Sequence, residues 1–149
     1  MEVVELSQAE AGTLLNMDKR GLDAKQWELP DHGGAISVPL VSYDKREKFL
    51  LDIRRARIDL SKVVYQTRGR QVVVLARLDL GGKIHRTPDG EKIGTPHLHL
   101  YREGYGDKWA FVPPENHFSN LHDSWHTLQD FLKYCKVVEP PKFNRSLFT

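Results

Sequence analysis

The chain is 149 residues long, 28% charged and 40% hydrophobic, with a formal net charge of +2. That is enough for one domain, residues 1–149, with a real core, and too little charge to announce nucleic-acid binding through a global basic field. Lone Cys135 excludes an internal disulfide and a cysteine zinc framework, and no apolar run nears the roughly 20 residues of a bilayer span.

The acidic start Met1-Glu2-Val3-Val4-Glu5 does not read as a signal peptide, so a cytoplasmic protein without a membrane partner is expected. Ser7 and Glu10 have capping-box spacing and open a helix whose stripe is Ala11, Leu14 and Leu15. Gly21 to Gly34, with Pro30, Asp31, Gly33 and Gly34 around an isolated Trp27, reads as a loop. Ile36 to Val41 is a strand, and Pro39, which cannot donate to a ladder, marks it as an edge. Glu47 to Arg54 alternates Phe49, Leu51 and Ile53 against Lys48, Asp52 and Arg54, and Arg54 to Arg57 turns the chain. Ile58 to Thr67 follows as a strand with Val63, Tyr65 and Thr67 on one side.

Val72 to Leu80 is the strongest strand, apolar on both faces at its start and therefore central. Its alternation sets Val73, Leu75, Arg77 and Asp79 on one side. Gly81-Gly82 ends it, and the next loop carries His85-Arg86 and a Thr87-Pro88-Asp89-Gly90 turn. Pro96 leads into His97-Leu98-His99-Leu100-Tyr101-Arg102, and Lys108 to Val112 forms a further strand before Pro113-Pro114. Trp125, Leu128, Leu132 and Cys135 lie on a helical stripe, with Cys135 a buried, inert thiol. The tail residues Phe143, Leu147 and Phe148 can dock. Short connections favour antiparallel pairing. The fold class is therefore α+β: a curved antiparallel sheet of about five strands, with an N-terminal and a C-terminal helix on one face.

The chemistry gathers on the histidine strand. His97, His99 and Tyr101 share one face in an ideal pleat, and Leu98, Leu100 and Arg102 the other. Histidine titrates near neutrality, so His97 and His99 can serve as general acid and base, with Tyr101 orienting and Arg77 neutralising a phosphate. Arg68, Arg70, Arg102 and His85 add contacts to the anion, and Tyr65 and Trp109 offer faces for stacked bases. These residue types fit a small, toxin-like endoribonuclease that needs no metal and no cofactor. The alternative is a non-catalytic protein that recognises RNA or a protein partner, an antitoxin or a host factor, through Arg54, Arg55, Arg57, Arg68 and Arg70.

His97-x-His99 followed by Glu103 is similar to the first metal motif of the cupins. That resemblance covers under a tenth of the chain, and Ala110 stands where the motif has a glycine. It implies a divalent metal held by His97, His99 and Glu103 in a small barrel. The longer block is more specific. Arg77-Leu78-Asp79, His85-x-x-Pro88-Asp89-Gly90 and Pro96-His97-x-His99-x-Tyr101 through Gly104, Asp107 and Trp109 resemble an uncharacterised family of small bacterial and prophage proteins of this length. The resemblance implies a bacterial or mobile-element origin and, by association with that setting, a toxin, inhibitor or adaptor.

Overall fold

The computed structural model of the chain describes residues 5–59 and 62–145. Helix α1 (Gln8–Asn16) opens on the capping box: Glu10 N–H donates to Ser7 Oγ, and Ser7 N–H donates to Glu10 Oε1, both at 3.1 Å. Ala11 and Leu14 are its buried stripe. Then come β1 (Lys19–Gly21), β2 (Gln26–Glu28), β3 (Ala35–Ser42), β4 (Lys48–Arg55), β5 (Val63–Gly69) and β6 (Val73–Leu80). The chain continues through β7 (His85–Arg86), β8 (Lys92–Ile93), β9 (His97–Leu100), β10 (Ala110–Phe111), α2 (Ser124–Tyr134), β11 (Val137–Glu139) and β12 (Lys142–Asn144).

The main sheet has eight described strands, ordered β10-β9-β6-β5-β4-β3-β1-β11, rather than about five. All neighbours are antiparallel except β1 and β11. The extra strands are two or three residues long, too short to show a period of two. Outside the main sheet, the segments expected as loop and tail supply β2 and β12, which pair in a separate parallel ribbon, Phe143 opposite Trp27. Leu147 and Phe148 lie outside the described residues, as do Leu60 and Ser61 of the expected second strand.

Pro39 is not on an edge strand, because β3 pairs with β4 on one side and β1 on the other. The β1 ladder stops at Leu40, and Pro39 only accepts there, from Leu22 N–H at 3.2 Å. A register shift between Thr67 and Arg68 also breaks the expected alternation of β6. Val73 and Leu75 are buried before the break, and Ala76, Leu78 and Leu80 after it. A bulge re-aims the side chains beyond it, which leaves Arg77 and Asp79 facing away from the core.

One core joins the sheet to both helices. Leu14 of α1 and Leu128, Phe131 and Leu132 of α2 pack with Val38, Leu51, Ile53, Tyr65, Leu78 and Leu98. Each such side chain contributes roughly 1.5–3 kcal/mol when removed from water. Lys19 is also buried, and its ammonium donates to Leu15 O and Met17 O at the end of α1 and to Cys135 O at the end of α2, at 2.8–2.9 Å. One cation thus satisfies carbonyls at the C-terminal ends of both helices, where the helix dipole favours positive charge.

Candidate functional site

The polar face of the sheet is organised by cross-strand register. One row runs Ser37, Asp52, Gln66, Arg77, His99 across β3, β4, β5, β6 and β9. The next row runs Ala35, Arg54, Val64, Asp79, His97. Directly opposite residues share a face and lie close enough for side chains to interact. His97 therefore meets Asp79, and His99 meets Arg77.

Both imidazoles are buried, His97 3% and His99 1% exposed. A backbone carbonyl faces Nδ1 of each ring: Gly94 O at 3.2 Å from His97, Asp107 O at 2.7 Å from His99. A carbonyl oxygen only accepts, so each Nδ1 carries the proton and donates it. The Nε2 atoms then turn to one carboxylate oxygen, Asp79 Oδ2, at 3.0 Å from His97 and 3.5 Å from His99. Arg77 closes the cluster, donating to Asp79 Oδ1 at 3.0 Å, Asp107 Oδ2 at 2.7 Å and His99 Nε2 at 3.0 Å.

Burial alone would raise the Asp79 carboxyl. The Arg77 guanidinium, 3.0 Å away, outweighs it and holds the group below its ordinary value. Burial pushes the His97 imidazole below its ordinary value, against the pull of Asp79. His85, half-buried on β7, lies over the pair, with ring centroids 4.7 Å from His99 and 5.7 Å from His97. Its Nε2–H donates to Lys108 O at 2.6 Å. Beside Asp79 and Arg77 the sheet face sinks into a depression of about 440 Å³ that Arg54, Arg55 and Lys62 also line.

The structure gathers His97, His99, Arg77 and His85, and separates the other residues singled out from sequence. The strand ends at Leu100, so Tyr101 leaves the histidine face and enters the core. Its hydroxyl accepts from Leu6 N–H at 2.9 Å and donates to Leu6 O at 2.7 Å. Tyr65 is fully buried and donates to Ser124 O at 2.8 Å, so no base can stack on it. Arg68 is held bidentately by Asp52, and Arg70 by Glu47. Arg102 stacks over Trp109, guanidinium carbon 4.5 Å from the ring centroid. Glu103 accepts from Gln8 N–H at 2.7 Å and is not part of the histidine cluster. Asp79, not Glu103, stands beside His97 and His99: their donor atoms all lie within 4.8 Å of one another, a group that could hold a metal ion. Asp79 carried a signal in the sequence, two residues from Arg77 on the same strand face, but Lys62 carried none.

A family match covers residues 6–137, the great majority of the chain. The chain belongs to DUF6978, a family of unknown function. The matched span holds every residue of the cluster, from Arg77 to Asp107. No curated protein and no solved structure matches the chain. No described helix is long and apolar enough to cross a membrane.

Proposed function

We propose that this chain binds single-stranded RNA on the polar face of its sheet and cleaves a phosphodiester bond beside the Asp79–His97–His99–Arg77 cluster. One observation carries the reading: a buried cluster of acid, imidazole and guanidinium borders a depression lined by Arg54, Arg55, Lys62 and Arg77. Arg54 and Lys62 have no carboxylate partner among the described residues, so they are available to a phosphate. An open antiparallel sheet face suits extended single-stranded RNA, which lays its backbone and bases across such surfaces.

The imidazoles of His97 and His99 stand edge to face with centroids 4.8 Å apart, too close to hold a phosphoryl group between them. They therefore work from one side of the substrate rather than as an acid and a base flanking it. In the proposed reaction the cluster takes the proton of a ribose 2′-hydroxyl, and that oxygen attacks the adjacent phosphorus. The bond to the 5′-oxygen breaks, and the leaving oxygen takes a proton from Nδ1 of a doubly protonated His85, whose Nε2–H stays on Lys108 O. The products are a 2′,3′-cyclic phosphate and a 5′-hydroxyl. Arg77 neutralises the charge that develops on the phosphoryl oxygens.

The test is a matched pair of oligonucleotides, one all-RNA and one with 2′-deoxy sugars. Cleavage of the RNA alone, with cyclic phosphate ends, supports the reading. Cutting of both strands removes the 2′-hydroxyl from the mechanism. Tight binding of both without cleavage leaves a nucleic-acid recognition protein instead.

A further inference from the structure

We propose that Asp79, His97 and His99 bind one divalent ion of the zinc class, and that binding moves the Arg77 guanidinium off His99 towards the basic depression. The inference rests on the same cluster as the RNA reading and names the group that takes the proton there.

Three features of the geometry lead to it. First, each Nδ1–H is tied to a backbone carbonyl, Gly94 O or Asp107 O. That outer hydrogen bond is the arrangement that fixes the tautomer and ring angle of metal-ligating histidines. Two independent loops supply it here, and both leave Nε2 as the inward donor. Second, two of the three inward distances have the spacing of ligands, and all three donor atoms lie within 4.8 Å of one another. Tetrahedral neighbours with bonds of roughly 2.0–2.1 Å stand about 3.3 Å apart. Asp79 Oδ2 is 3.0 Å from His97 Nε2 and 3.5 Å from His99 Nε2.

Third, the cluster asks for a cation. With Nδ1–H donated to Gly94 O, the His97 Nε2 lone pair is turned to Asp79 Oδ2 at 3.0 Å, two acceptors face to face. At His99 the same lone pair is met by the Arg77 guanidinium at 3.0 Å, a cation held where an ion would bond. Arg77 is 23% exposed and keeps Asp107 as a partner when it turns away. Two imidazoles and one carboxylate suit zinc or iron rather than magnesium or calcium, and they leave a coordination position open. An ion held there would lower the pKa of a water in that position, which could then accept the 2′-hydroxyl proton. The ligand set differs from the one the cupin resemblance implies, because Asp79 on the neighbouring strand replaces Glu103.

The experiment uses the full chain, stripped with a chelator and titrated with zinc by calorimetry, without RNA. One ion per chain is expected. Asp79→Asn and His99→Gln each lower the affinity by more than the roughly 10–100-fold typical of losing an outer hydrogen bond to a ligand. Arg77→Met raises the affinity several-fold, because the competing cation is gone, and misfolding cannot mimic that gain. Failure of the stripped wild-type chain to bind zinc overturns the proposal. So does equal binding by wild type and Asp79→Asn, which places the ion elsewhere, such as at His126 with Asp130, 3.3 Å apart on α2. RNA cleavage by ion-free protein in chelator also overturns it, and leaves the RNA reading standing with His97 and Asp79 as the base. Stoichiometric zinc without RNA cleavage supports this inference and removes the other.

Discussion

Replacing Arg77 with methionine keeps the apolar stem and deletes the guanidinium that contacts Asp79 at 3.0 Å, Asp107 at 2.7 Å and His99 at 3.0 Å. A hydrogen bond to a charged group is worth about 1.5–3 kcal/mol in a dry site, but screening at a 23% exposed side chain brings each to about 1 kcal/mol. Three contacts then contribute about 3 kcal/mol. With a urea slope of about 2 kcal/mol/M the unfolding midpoint falls by about 1.5 M. A double-mutant cycle with Asp107→Asn isolates one arm of this arrangement, with an expected coupling of about 1 kcal/mol. Circular dichroism across a urea series measures all four proteins. An unchanged midpoint for Arg77→Met, or strictly additive effects of the two substitutions, would refute the view that Arg77 ties β6 to the loop at Asp107.

Tyr65→Phe and Tyr101→Phe should cost about 1–2 kcal/mol through their lost hydrogen bonds to Ser124 and Leu6, and leave RNA affinity untouched. Denaturation and filter binding of the same variants check this, and a drop in affinity would return the tyrosines to the site. Lys19 makes a pH prediction. Burial lowers its ammonium from 10.5 to about 8, so between those values the unfolded chain binds more protons and stability rises with pH. Relative to Lys19→Met, the wild type should gain up to about 3 kcal/mol over that window, and parallel curves would contradict the buried charge. Arg54→Ala and Lys62→Ala should each weaken RNA binding and reduce the slope of log affinity against log salt by about 0.7 per lost phosphate contact. Unchanged slopes would move the RNA off this depression.

Much of the frame was legible because it obeys simple periods. Phe49, Leu51 and Ile53 alternate in β4, Leu128 and Leu132 recur on α2, and Ser7 with Glu10 marks the start of α1. The short strands β1, β2, β11 and β12 were not legible, since three residues carry no period and their partners are far away in sequence. The bulge beside Thr67 was hidden for a related reason: a single extra residue changes the facing of everything after it without altering composition. Lys19 had no signal either, because a lysine enters a core only when tertiary structure brings carbonyls to it.

The histidine strand declared its chemistry but not its partners. Alternation placed His97 and His99 together correctly and placed Tyr101 with them wrongly, because the strand stops one residue earlier. Register across β6 and β9 decides that Asp79, not Glu103, completes the cluster, and register is a property of the assembled sheet. The arginines show the same limit. Arg68 and Arg70 look free in sequence, yet Asp52 and Glu47 hold them in the fold, while Arg54 and Lys62 have no carboxylate partner among the described residues.

RNA cleavage at the Asp79–His97–His99 cluster is read directly from the fate of an end-labelled single-stranded RNA. Wild type should convert it to fragments ending in 2′,3′-cyclic phosphate, while folded His97→Ala and Asp79→Asn leave it whole. Intact RNA after prolonged incubation with concentrated wild-type protein, with zinc and without it, would show that the cluster is not a ribonuclease site.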